Sequence, residues 1–255
     1  MRPRVMPILL LRGEGLVKGV QFKDYRYIGD PMNAVKIFNE KDVDELIFLD
    51  ITATQEKRTP SLDYIAKIAD ECYMPFGVGG GINNVSQIRE ILYAGAEKVS
   101  INTAAVENPK LIREAADLFG SQAVVVSIDV RKDWLGNYAV YTNCGAKKTK
   151  LDPVRWAIEA AEMGAGEILL NSIDCDGSME GFDLNLIEKV SAAVNVPLIA
   201  CGGAGTTEHI RAAIDHGASA VAAGSMFVFH GRKRAVLINY PTEEELAKTF
   251  IGLES

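Results

Sequence analysis

Cysteine is scarce. Cys72, Cys144, Cys175 and Cys201 are the only four in 255 residues, and none stands in CxxC or CxxH spacing. That argues against a disulfide framework and against a zinc site, and reduced thiols in a cytoplasmic protein are the expectation. Long apolar runs are missing too, with nothing near the ~18 residues that cross a bilayer. Val5–Leu11 follows Arg2 and Arg4, but it is short and lacks a small-residue cleavage site, so neither a membrane span nor a signal peptide is expected. A basic excess is also absent: 27 Lys and Arg against 34 Asp and Glu leave a net charge of −7, which argues against nucleic acid as a partner. No metal cluster is visible, and no cofactor is expected. What remains is 48% hydrophobic and 24% charged, ordinary globular material rather than a disordered chain.

The chain alternates two kinds of segment. Short apolar, β-branched runs read as buried strands at Val5–Leu11, Leu46–Asp50, Phe76–Val78, Val99–Ile101, Ala123–Asp129, Ile168–Asn171, Leu198–Cys201 and Ala220–Ala223. Between them lie amphipathic stretches with helical spacing, such as Val85, Ile88, Ile91 and Leu92 after a capping Asn84. Gly95, Gly164 and Gly217 stand where helices should end. Eight strands and eight helices in 255 residues give one βα unit per about 32 residues.

An internal repeat chooses between a closed barrel and an open doubly wound sheet. Val78–Gly81 resembles Ala200–Gly203 at an offset of 122, which also places Glu45 on Glu167, Asn102 on Gly224 and Thr103 on Ser225. Val5–Leu10 falls on Val124–Asp129 at an offset of 119. Two halves of four units each, about 1–122 and 123–255, predict one domain: a (β/α)8 TIM barrel built from two homologous half-barrels. Leu135-Gly136-Asn137 predicts a hairpin inserted after strand five.

Barrels of this kind place their chemistry at the C-terminal ends of the strands. There, glycine clusters at Gly79–Gly81 and Gly202–Gly205, with Asn102-Thr103 and Gly224-Ser225, suit phosphate, because glycine lets backbone N–H groups approach an anion. Duplicated, they predict two anion sites and a doubly phosphorylated small molecule; tight βα turns are the plainer alternative. Asp129, at the end of strand five, is the candidate general acid or base. Asp50, Asp174 and Asp176-Gly177 end other strands, as ligand contacts or as turn residues. Lys18 lies in a long glycine-flanked loop, Gly13–Gly29, that could close over the mouth. At the opposite end Arg4, Glu45, Lys98 and Glu167 precede strands one, two, four and six with alternating sign. They form either a closed ionic ring at the bottom rim or four unrelated solvated residues.

From about Arg4 to Phe227 these motifs resemble the cyclase subunit (HisF-type) of imidazole glycerol phosphate synthase. The resemblance rests on Val17-Lys18-Gly19, Gly29-Asp30-Pro31, Phe48-Leu49-Asp50-Ile51-Thr52-Ala53, Val78–Ile82, Val99–Asn102, Asp174, Asp176-Gly177 and Cys201–Gly205. It implies a glutaminase subunit on the N-terminal face, ammonia passing up the barrel, and a gate made by Arg4, Glu45, Lys98 and Glu167. It implies phosphate contacts at Gly81, Asn102 and Thr103 and at Asp176, Gly177, Gly203, Gly224 and Ser225, with Asp129 and Lys18 catalytic. Three positions depart. Leu10 stands where the family has its second catalytic aspartate, and Asn171 and Cys201 replace a threonine and a serine in the same mouth. The departures resemble a paralogous branch linked to surface-polysaccharide and nonulosonic-acid synthesis. There the barrel and its glutaminase supply ammonia to a third, ATP-dependent enzyme that turns an acetamido sugar into an acetamidino sugar. The alternatives are an active histidine-pathway cyclase and a non-catalytic ammonia conduit that activates its glutaminase.

Overall fold

The computed structural model describes residues 2–231 and 233–252; Met1, Arg232 and residues 253–255 lie outside the described residues. Eight parallel strands form the barrel: β1 (Arg4–Arg12), β2 (Leu46–Asp50), β3 (Phe76–Gly79), β4 (Lys98–Ile101), β5 (Val124–Lys132), β6 (Glu167–Ser172), β7 (Leu198–Cys201) and β8 (Ala220–Ala223). Each pairs with the next, and β8 returns to β1 through Arg4↔Ala220 and Met6↔Ala222. An open sheet would leave two edges; this one leaves none. The expected (β/α)8 class is therefore the observed one.

Side chains alternate along each strand, and this separates two cores. Met6, Ile8, Ile47, Val125, Leu169, Ile199, Cys201, Ala220 and Ala222 fill the barrel interior. A larger layer, including Val5, Leu9, Phe48, Val99, Val126 and Ile168, packs outward against the helices. On β1 the inward series runs Arg4, Met6, Ile8, Leu10 from bottom to mouth. On β5 it runs Val125, Ser127, Asp129. The period therefore places Leu10 and Asp129 in the mouth.

Helix starts follow local chemistry. The Asn84 side chain accepts from the Gln87 amide, and Asp30 and Asp152 cap helices that open with Pro31 and Pro153. Gly95, Gly164 and Gly217 have φ of 111°, 105° and 98°, the left-handed geometry that ends a helix.

Two segments differ from expectation. Gly13–Gly29 is a hairpin rather than a loop: Gly15–Val20 pairs antiparallel with Lys23–Gly29 and, through Leu10↔Val17, with the upper end of β1. The cause is that β1 runs past the barrel rim to Arg12 and supplies an edge. The hairpin turns at Gln21 and Phe22, both at positive φ. At the C-terminal side, Phe229–His230 pairs with Ala235–Val236, and a helix follows at Glu243–Thr249 behind a Thr242–Glu245 capping box. The sequence reading assigned no elements there. The hairpin expected after strand five is present: Tyr138–Thr142 folds back on β5, and the Asp133 carboxylate accepts from the amides of Leu135 and Asn137, both at 2.9 Å.

Candidate active site

At the bottom rim the four charges of alternating sign meet. Arg4 Nη1 bonds Glu45 at 2.5 Å and Arg4 Nη2 bonds Glu167; Lys98 Nζ reaches Glu45 at 2.9 Å and Glu167 at 3.0 Å. Each charge touches both neighbours of opposite sign, so the ring is closed. Burial alone would lower the Arg4 guanidinium pKa; the two glutamates outweigh it and raise it.

At the other end a cleft of about 400 Å³ opens at the mouth, over a floor of Ile8, Leu10, Leu49 and Ile101. Asp129 sits on one wall. Asn102 Nδ2 donates to its Oδ2 at 2.8 Å and Asn171 Nδ2 to its Oδ1 at 3.2 Å. Burial pushes its carboxyl up to about 7; the Asn171 bond works against that rise, and Asp176 adds to it. A group near 7 can both take and give a proton at neutral pH. Leu10, on β1 across the barrel, offers no second one. Burial also pushes the Cys144 and Cys201 thiols up to about 11 and about 12, so neither is a ready nucleophile.

The Gly15–Gly29 hairpin folds over this cleft and brings Phe22 and Tyr25 into its lining. Lys18 reaches inside: it is 5% exposed, its Nζ bonds Asp176 Oδ1 at 3.0 Å, and it lies against Gly224. The Gln21 amide donates to the Asp176 carbonyl, and Arg26 stacks on Phe229 and donates to the Arg234 carbonyl. The lid is thus tied to β6's loop and to the C-terminal hairpin.

Of the residues expected at two anion sites, Gly81, Asn102 and Thr103 line the cleft on one side, and Asp176 lines it from the other half. In both halves the last glycine of the aligned four-residue motif is required by packing. A Cβ on Gly81 would strike the Arg58 carbonyl, and one on Gly203 would strike the Gly181 carbonyl. In the first half the Gly81 amide donates to Thr54 Oγ1 at 3.2 Å, and Thr103 Oγ1 accepts from the Asn143 amide at 3.0 Å. Among the described residues, the buried atoms Asn102 Oδ1, Asn171 Oδ1, Asp176 Oδ2 and Ser225 Oγ have no partner. The first three belong to residues that line one cleft, which fits a site that a ligand completes.

Asp50 lines the cleft but is taken up within its own loop. Expected among the ligand contacts, its carboxylate already accepts from the Thr52 and Ala53 amides, the Thr52 hydroxyl and both Arg58 Nη atoms. It anchors its own loop. Asp174 also serves structure, accepting from the Lys132 amide at 2.8 Å. Arg58, Thr54, Phe22 and Tyr25 were missed by sequence reasoning; no pattern marks them, because their roles arise only when loops of different units meet.

Fold and site together define a class: a (β/α)8 barrel with a hairpin-covered cleft at the strand C-termini and a buried carboxyl, raised to about 7, inside it. The family model described as histidine biosynthesis protein matches residues 4–233. The chain is 52% identical over 246 residues to a Pseudomonas aeruginosa protein provisionally named imidazole glycerol phosphate synthase subunit hisF2, covering 96% of this chain and 98% of that one. It is 47% identical over 252 residues to a Leptospira interrogans protein provisionally named subunit HisF, covering 98% and 99%. It is 50% identical over 232 residues to the subunit HisF of Caulobacter vibrioides, covering 90% and 89%. The chain belongs to the HisF-type imidazole glycerol phosphate synthase subunit family, a family of cyclase-type enzyme subunits.

Proposed function

We propose that the protein is the ammonia-delivering synthase subunit of a glutamine amidotransferase, working with a glutaminase on its N-terminal face for acetamidino modification of a sugar. One observation carries the reading: the four-charge ring at the bottom is closed, while at the mouth β1 presents the hydrocarbon of Leu10 to Asp129 and no carboxyl. Ammonia enters through the ring of Arg4, Glu45, Lys98 and Glu167 and rises past Met6, Ile47, Ser100 and Ser127. Cyclisation of the histidine-pathway ribulosyl aminoimidazole nucleotide needs a proton taken at one face and given at another. A single carboxyl does that poorly, and losing one general acid or base costs about 10²–10⁴ in rate. Delivery to a third, ATP-dependent enzyme needs no such pair: that enzyme activates the acetamido oxygen, ammonia displaces it, and the amidino group results. On this reading the phosphate contacts at Gly81, Asn102, Thr103, Asp176, Gly177, Gly203, Gly224 and Ser225, with Lys18, hold a doubly phosphorylated ligand that sets the mouth's state.

A second reading is an active histidine-pathway cyclase, favoured by the 50% identity to the Caulobacter subunit. Deleting the gene and tracing amide-¹⁵N from glutamine separates them. The expected result is loss of labelled amidino nitrogen with growth independent of histidine. Histidine auxotrophy with amidino sugars intact overturns it.

A further inference from the structure

The β2 loop holds a second lysine at the cleft that the functional reading leaves unused. Arg58 spends all five of its N–H donors inside this loop: on Asp50 at 2.6 and 3.2 Å, Thr52 Oγ1 at 2.8 Å, the Thr59 carbonyl at 3.2 Å and Glu56 at 2.6 Å. Asp50, 6% exposed, receives two of those donors as well as the Thr52 and Ala53 amides. The brace fixes the loop against β3, with the Arg58 carbonyl packed on Gly81 and Thr54 Oγ1 bonded to the Gly81 amide.

Lys57 stands in the middle of this brace with φ 52°, a left-handed conformation that costs a non-glycine residue energy and that the surrounding bonds enforce. Its side chain is exposed and lines the cleft beside Gly80, Gly81, Asn102 and Thr103. The two acids of its own loop, Asp50 and Glu56, are both engaged by Arg58, and Glu107, on the same wall, faces Lys147 at 3.9 Å. Lys57 has no ion-pair partner among the described residues. The second anion site already has its cation, Lys18 against Gly224 and Asp176. The residues expected at the first, Gly81, Asn102 and Thr103, offer only backbone and neutral side chains, some of them already bonded, and among the described residues Lys57 is the lysine of that loop that lines the cleft.

We infer that Lys57 is the cationic ligand of the first anion site, taking a phosphate monoester dianion beside Gly81 and Thr103, and that Asp50 and Arg58 are positioning residues that aim it. This rests on the two-anion reading of the cleft. Arg58 cannot contact the anion itself, since its donors are spent; it acts through the loop.

Titration of the full-length protein with inorganic phosphate at low ionic strength, followed by ³¹P NMR, tests this. The wild type binds two phosphates. Lys57→Gln weakens one of them by about fivefold, the scale of one partly solvated charge contact, and leaves the melting temperature unchanged; Lys57→Arg restores it. Lys18→Gln weakens the other. Arg58→Ala weakens the same phosphate as Lys57→Gln. Two phosphates bound equally by wild type and Lys57→Gln overturn the Lys57 assignment alone. An intact first site in Arg58→Ala overturns the positioning role. A single phosphate in the wild type, sensitive to Lys18→Gln and indifferent to Lys57→Gln, overturns both this inference and the two-anion reading beneath it.

Discussion

The two ends of the barrel treat charge in opposite ways. At the bottom, Arg4, Glu45, Lys98 and Glu167 satisfy one another in a closed ring. At the mouth, Asp129 is buried with amide donors but, among the described residues, no cation, and three polar atoms of cleft-lining residues go unpartnered. Self-satisfied charge fixes a shape without needing a ligand; unsatisfied polarity costs stability until something binds. The difference teaches where this molecule keeps structure and where it keeps chemistry. Repeat symmetry makes it sharper: at the offset of 119, the partner of Asp129 is Leu10. One half-barrel offers a titratable group to the mouth and the other offers a hydrocarbon.

The comparison can be broken most violently at Asp129. Asp129→Asn is expected to lower any turnover that needs proton transfer by about 10²–10⁴, while glutaminase activation through the bottom ring persists. Turnover that survives would reduce the mouth to a passage. Next comes Lys98→Ala, which opens the ring. Product formed per glutamine hydrolysed should fall, with turnover on added ammonium largely kept; unchanged coupling would remove the gate role from the ring. Lys18→Met leaves Asp176 buried without its cation and should cost about 3 kcal/mol in denaturant unfolding, recovered in part by a second change, Asp176→Asn. No loss would mean the lid pair adds nothing to the fold.

The smallest effect depends on pH. The Asp129 carboxyl is raised from 3.8 to about 7 in the folded protein. Between those values the folded state holds a proton that the unfolded state has released, so stability falls as pH rises through this window. Asp129→Asn, neutral throughout, should therefore gain on the wild type from pH 4 to pH 7 and level off above. The plateau should be about 1–2 kcal/mol once the lost charge-assisted bonds are set against it. Melting curves of the two proteins at pH 5 and pH 8 that differ by the same amount would contradict the raised carboxyl.

Much of this was legible beforehand because it is periodic. Strand runs of four to nine residues, the helix cap at Asn84, terminal glycines and the half-barrel offsets were all visible, and inward alternation carried Asp129 and Leu10 to one cleft. The ionic ring was legible as alternating sign, though only geometry shows each pair formed. What was hidden has no period. The lid hairpin depends on β1 outrunning the barrel rim. The C-terminal hairpin depends on contacts with that lid. Asp50 stayed open between ligand contact and turn residue because a strand-end carboxylate looks the same in sequence whether it faces a ligand or an arginine eight residues on.

On the proposed reading, a barrel fitted for ammonia passage and anion binding has kept one of two proton-transfer groups. The measurement that tests it most directly is the rate of imidazole glycerol phosphate formation from the ribulosyl aminoimidazole substrate with ammonium at high pH, for the wild type and for Leu10→Asp. The expected wild-type rate is about a hundredfold or more below that of the variant, in which a carboxylate is restored opposite Asp129. A wild type that already turns over at the variant's rate would contradict it.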